Sequence, residues 1–328
     1  MKNYLILLFV FLSASIFISC DDQVEPKADF EQVYILNCIL RGDTTYQIAT
    51  LSKSYEIDGY DPYINKIDPA VYGAKLKIIY DNKEYLFRDT IISRSPDSRY
   101  TTPLHYYYLK NFQPTETKTI ELVAELPDGT ILNSKSETFA INVIYFEDVV
   151  QRIPETGTQR EAVFFSWKRL TGSTSNPNQY FAPELVISYT KEENGVNVPY
   201  TKKIPMFYMN SNTGSFPVYP SVQANTNRVG FDTLAINKAL EEISFNDPNK
   251  NRYKIKHAIF RLLILDKNLA VYYAAQKTFL DEFSVRFSQP EFTNIKNGLG
   301  IFGTYSVKQK ILAFDESFVT KFGYKIGN

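Results

Sequence analysis

"GAKLKIIYDNKEYLFRD", residues 73–89, sets the class of the fold. Ala74, Leu76, Ile78 and Tyr80 alternate with lysines and other residues, and this period of two describes a strand with one buried face. Asp81-Asn82 follow, two residue types that tolerate a tight turn, and the apolar pattern resumes at Tyr85–Phe87. The stretch therefore predicts a β-hairpin.

The same device recurs downstream in "TKTIELVAELPDGTILNSKSETFAINVIYF", residues 117–146. Its turn is Pro127-Asp128-Gly129. Proline presets φ, aspartate bonds nearby backbone, and glycine accepts a positive φ. Upstream, "VYILNCIL" and "TYQIATLSKSY" read as strands joined by "RGDT". The turn-rich "EIDGYDPYINKIDP", residues 56–69, reads as a loop. About seven short strands at this spacing predict an immunoglobulin-like or fibronectin-like β-sandwich over residues 31–145.

From residue 146 the texture changes, and residues 146–328 are expected to form a larger β-rich domain with one or two helices. "AVFFSWKRL" and "FAPELVISYT" read as strands, and Asn194-Gly195 as a hairpin turn. Asp232 stands where it would cap a helix over "TLAINKALEEI". "YKIKHAIFRLLILD" reads as an apolar strand and "NLAVYYAAQKTFLDEF" as a helix. The tail "LAFDESFVTKFGYKI" is mixed or strand-like. The mainly β expectation agrees with composition: aromatics are 15% of the 328 residues, with 24 Tyr and 24 Phe, and such residues favour pleated sheets.

The N-terminus carries an address. Leu5 to Ile18 is a nearly unbroken apolar run, shorter than the ~20 residues a spanning helix needs. It fits the apolar core of a secretory signal. The border "FISCDDQVEP", residues 17–26, places Cys20 after Ser19 and before two acids. Residues 1–19 are read as a lipoprotein signal peptide, Cys20 as the lipidated residue, and residues 20–30 as a tether. Phe17 departs from the usual lipobox, and a plain secreted chain is the alternative. Two or more acyl chains give firm membrane attachment where one is marginal.

Charge excludes one class of function. Lys and Arg total 36 against 36 Asp and Glu, so no basic field supports nucleic-acid binding. Once Cys20 is lipidated only Cys38 remains, in a strand-like run, where it reads as a small buried hydrophobe.

No catalytic signature assembles from the sequence. H-E-x-x-H, G-x-S-x-G and P-loop patterns are missing. Asp247, Asn249 and Asn251 begin like a calcium loop, but Arg252 stands in place of its glycine and Ala258 in place of its last acid. Asp58, Asp61 and Asp68 are scattered carboxylates that a solvated loop explains equally well. His257 reads as a strand histidine. His105 opens "HYYYLKNF", whose tyrosines form either a ligand platform or ordinary core and rim positions of a sheet. No cofactor and no metal is expected. The favoured recognition segment is "MFYMNSNTGSFPVYP", residues 206–220, which mixes stacking rings with hydrogen-bonding Asn and Ser. Tyr208, Phe216 and Tyr219 are its candidate ligand-contact residues, with a partly packed surface loop as the other reading.

"NGLGIFG" contains Gly298, Gly300 and Gly303 in a literal G-x-G-x-x-G. A dinucleotide site needs a βαβ unit around it, and the short remainder of the chain supplies none. Tight turns or close backbone packing explain the glycines better. The wider stretch "FSQPEFTNIKNGLGIFGTYS", residues 287–306, resembles the closing signature of a Bacteroidota lipoprotein family, domain of unknown function 4249. Phe287, Pro290, Asn294, Ile295, Gly298, Gly300, Phe302 and Gly303 carry the match, while Lys296-Asn297 departs from it. "LDKNLAVYYAAQ" and "VYGAKLKIIYDN" resemble the family's tyrosine-bearing segment and an early strand.

The resemblance implies an outer-membrane lipoprotein, on the surface or periplasmic face, accessory to a TonB-dependent transporter in nutrient capture. It supplies no catalytic residues. The combined expectation is a non-catalytic protein that binds the membrane through its lipid, and a glycan or peptide ligand, a transporter, or both. An adhesin or surface scaffold is the second reading, and a glycan or peptide hydrolase the third.

Overall fold

A computed structural model describes residues 29–57, 59, 61–147, 151–154, 161–170, 179–212, 214–224, 226–277 and 292–327. The signal peptide, Cys20, Phe287 and Pro290 lie outside the described residues. The chain is mainly β. Its strands are β1 (Tyr34–Arg41), β2 (Tyr46–Lys53), β3 (Lys75–Tyr80), β4 (Lys83–Leu86), β5 (Arg88–Ile92), β6 (Leu104–Lys110), β7 (Thr119–Glu125), β8 (Ile131–Glu137), β9 (Ile144–Glu147) and β10 (Arg152–Ile153). Then come β11 (Ala162–Arg169), β12 (Tyr180–Glu193), β13 (Val196–Ile204), β14 (Phe207–Ser211), β15 (Gly214–Val218), β16 (Gln223–Ala224), β17 (Arg228–Asp232), β18 (Tyr253–Leu265), β19 (Leu299–Phe314) and β20 (Lys325–Ile326). Described helices cover Thr233–Ile243, Lys267–Lys277 and Glu316–Thr320.

The opening hairpin forms as its sequence dictates. Asp81 and Asn82 take φ of 54° and 58°, and β3 pairs with β4 across them. Such left-handed turn residues match the twist of the strands they join. Asn194 and Gly195 do the same between β12 and β13.

Two sheets face each other in the N-terminal part. One has the order β4-β3-β7-β8; the other is the β19-β1-β2-β6-β5 end of a large sheet. Leu76, Ile78, Ile120 and Leu122 from the first meet Leu36, Leu40, Leu51 and Tyr107 from the second in one core. Each such side chain contributes roughly 1.5–3 kcal/mol when fully buried. Cys38 belongs to the same core, and burial pushes its thiol pKa up.

The large sheet continues as β13-β12-β18-β19 and so runs through the expected boundary at residues 145/146. Val33–Asn328 groups as one compact unit. The joint is β19. Leu299 to Tyr305 pairs in parallel with β1, and Tyr305 to Leu312 pairs antiparallel with β18. Ile295 and Phe302 consequently pack in the core of residues 36–132, although the sequence reading assigned them to the C-terminal domain. A second core holds residues 139–324. In it Phe165 stacks on Phe260 at 4.0 Å, and Ile236, Leu240 and Ile243 of the 233–243 helix pack alongside. Asp232 sits at that helix's N-cap without a side-chain capping bond. The mixed tail resolves into the end of β19, the short 316–320 helix and β20.

Candidate functional site

Within residues 206–220, where the sequence reading placed a recognition loop, Phe207–Ser211 and Gly214–Val218 pair antiparallel as the two strands β14 and β15. Register divides their side chains. Met209 lies opposite Phe216, and Phe207 opposite Val218, so these four share one face. Tyr208 takes the other face. Its hydroxyl donates to Glu242 Oε1 at 3.2 Å, and Lys238 Nζ lies 3.8 Å from its ring centroid. Burial, with the Glu242 carboxylate beside it, pushes the phenol up to about 12. Lys202 completes the cluster, with Nζ 2.7 Å from Glu242 Oε2. Tyr208 thus ties the hairpin to the 233–243 helix. The outer face stays open: Phe216 is 48% exposed and Met209 55%.

Tyr219 leaves the end of that hairpin and enters a groove of about 240 Å³. Pro220 and Val222 follow it along one wall; Tyr273 of the 267–277 helix lines the groove too. Ala182, Leu263, Leu265 and Ile204 supply apolar surface from the paired strands β12, β18 and β13. Glu184 and Lys203 also line it, ion-paired at 2.5 Å, with Arg261 3.5 Å from the same carboxylate. Drug-sized ligands occupy roughly 300–1,000 Å³, so this groove suits one ring or one side chain. Of the three candidate residues only Tyr219 reaches it. The sequence reading missed Tyr273, Glu184 and Lys203. The Tyr272-Tyr273 pair was visible in the sequence, but not that the second ring would line the same groove as Tyr219.

The closing signature has a different geometry. The Asn294 side chain accepts from Phe302 N at 2.8 Å and donates to Phe302 O at 2.6 Å, closing the loop before β19. A Cβ on Gly298 would stand 2.8 Å from Tyr34 O. Gly300 has φ of 116°, and a Cβ there would collide with Leu36 O. A Cβ on Gly303 would press into Leu269 and Asp266. All three glycines lie where another element passes too close for a side chain.

Other candidates resolve locally. Asp61 accepts from Tyr63 N at the start of a short turn, Asp68 is ion-paired with Arg94, and Asp58 lies outside the described residues. Asp247 accepts from Asn249 N and from Tyr253 OH. His105 is buried beneath Tyr72 at a ring distance of 4.2 Å, with Nε2 3.6 Å from Asp89 Oδ2. His257 is half-buried on β18, and burial lowers its pKa. Among the described residues no group of three or more His, Cys, Asp or Glu is placed to hold a metal. Nor is any described helix long and apolar enough to cross a membrane.

Fold and site together define a mainly β protein with a small aromatic socket beside an exposed apolar hairpin. A family model described as "Domain of unknown function (DUF4249)" matches residues 21–311, and the chain belongs to that family. No curated protein matches the chain.

Proposed function

We propose that the chain is a non-catalytic, lipid-anchored outer-membrane protein that docks on a TonB-dependent transporter and assists nutrient capture. The observation that carries this reading is the β14–β15 hairpin with its neighbouring socket. Phe207, Met209 and Phe216 offer a contiguous apolar face on a two-stranded projection. Solvent-facing apolar clusters of this kind are characteristic of interaction sites. The socket at Tyr219 has the size of one side chain or one sugar ring, which suits a partner's anchoring residue. Anchoring is supported by the apolar run that ends at Cys20 and the acids that follow it. The surface face of the outer membrane is preferred because those acids resemble an export tag.

The second reading, an adhesin or scaffold, would use the same apolar hairpin against a surface polymer. Photo-crosslinking separates the two. A benzophenone side chain at position 216, in native membranes, is expected to capture a TonB-dependent transporter. Capture of surface polymer alone would replace the transporter reading with the scaffold one.

A further inference from the structure

Strand alternation sorts His105–Lys110 into two faces. His105, Tyr107 and Leu109 are buried in the core, whereas Tyr106 and Tyr108 stand on the outside of β6. Register carries that outer face across three strands. Tyr108 lies opposite Ile48 of β2 and Arg88 of β5, Tyr106 lies opposite Thr90, and Tyr46 lies opposite Lys110. The Tyr46 and Tyr108 rings are nearly parallel, 15° apart in plane, with centroids 5.7 Å apart; Tyr106 is 6.5 Å from Tyr108. Ile48 and Ile92, on the same face, are each 47% exposed.

The charge on this face is one-sided. Arg88 and Lys110 are exposed, and Lys110 Nζ sits 5.3 Å from the Tyr108 ring centroid. By sequence and register, no outward position of β2, β5 or β6 is acidic. The chain as a whole is balanced at 36 bases and 36 acids, so this face, with two bases and no acid, departs from the average. A depression of about 220 Å³ opens between Leu86, Arg88, Tyr108, Lys110 and Asn111.

A ligand for such a face has flat apolar sides, many hydroxyls and a carboxylate. A pyranose presents its C–H face to an aromatic ring, and its hydroxyls can bond phenol, threonine and amide groups. A carboxylate between arginine and lysine gains charge-assisted hydrogen bonds. Two cations are too few for the counterion release that drives nucleic-acid binding. We propose that the outer face of β2, β6 and β5 binds an acidic, uronate-bearing polysaccharide. One uronate ring stacks on Tyr108 with its carboxylate between Arg88 and Lys110, and the chain continues over Tyr46 and Tyr106. This surface is distinct from the socket at Tyr219 and does not depend on the transporter reading.

Affinity electrophoresis of the full chain in detergent tests it, with polygalacturonate, its methyl ester or polyglutamate cast in the gel. Polygalacturonate should retard the protein, and the methyl ester should do so much less. Tyr108→Ala and the Arg88→Gln/Lys110→Gln pair should each weaken retardation about tenfold, equivalent to ~1.4 kcal/mol. Leu234→Ser, on the exposed side of the 233–243 helix and away from both the hairpin and the socket, should leave it unchanged. Should Tyr108→Ala fail to fold, the exposed Arg88→Gln/Lys110→Gln pair carries the test. No retardation by polygalacturonate, or equal retardation by polyglutamate, would overturn the proposal. So would full retardation of the folded Tyr108→Ala or charge-pair variant.

Discussion

At Gly300 the backbone of β19 passes the Leu36 carbonyl with φ of 116°, where an L side chain is both strained and obstructed. Gly300→Ala should therefore lose about 2–4 kcal/mol of stability, read as a lower thermal midpoint. Asp266 makes a second residue-scale prediction. It is 2% exposed, and burial raises its carboxyl pKa to about 6 despite hydrogen bonds from Ser136 and Leu269 N. The folded chain thus holds this proton more tightly than the unfolded one. As pH rises from about 4 to about 6 the unfolded chain ionises first, and stability should fall by up to ~3 kcal/mol. Asp266→Asn keeps a capping side chain for the 267–277 helix and should flatten that part of the pH profile, as measured by denaturant midpoints. The sequence showed that Gly298, Gly300 and Gly303 do not build a nucleotide site, since no βαβ unit surrounds them. It did not show Leu36 as their neighbour, because that contact joins distant parts of the chain. The perturbation of Asp266 was equally hidden, since it comes from burial between elements.

Elements with local rules were the legible ones. Asp81-Asn82, Asn194-Gly195 and the 233–243 helix all form at or near their sequence boundaries. β19 was not legible. It opens inside a glycine-rich run, and its alternation is broken where Ile301, Phe302, Gly303 and Thr304 are buried in succession. A strand covered on both faces loses the period of two. The 206–220 segment read as a loop because Asn, Ser, Gly and Pro are scattered among its rings, yet Phe207–Ser211 and Gly214–Val218 pair as strands. Only register reveals that Tyr208 faces a helix while Phe216 faces outward. Tyr208→Phe should accordingly cost about 1 kcal/mol through the lost bond to Glu242, as read by denaturant unfolding. Phe216→Ser should stay within about 0.5 kcal/mol of the parent in the same assay, while abolishing partner capture at the hairpin.

The whole molecule is organised by one long-range pairing. β1 and β19, near opposite ends of the described chain, lie side by side and join a sheet that serves both cores. A chain ending before β19 would expose the inner edges of β1 and β18 together and should fail to give a cooperative thermal transition. The mainly β class was visible because each hairpin is local; the union of the two halves was not, because no local signal specifies a partner that far away. Around this body stand the hairpin, the socket and, by our proposal, a lipid at Cys20. Purification from native membranes of the tagged chain with Cys20 intact, beside Cys20→Ala, tests that account most directly. The account predicts that the intact chain stays with the outer membrane and brings a TonB-dependent transporter with it, while Cys20→Ala is released. Retention of Cys20→Ala to the same extent, or an intact chain that comes without a transporter, would contradict it.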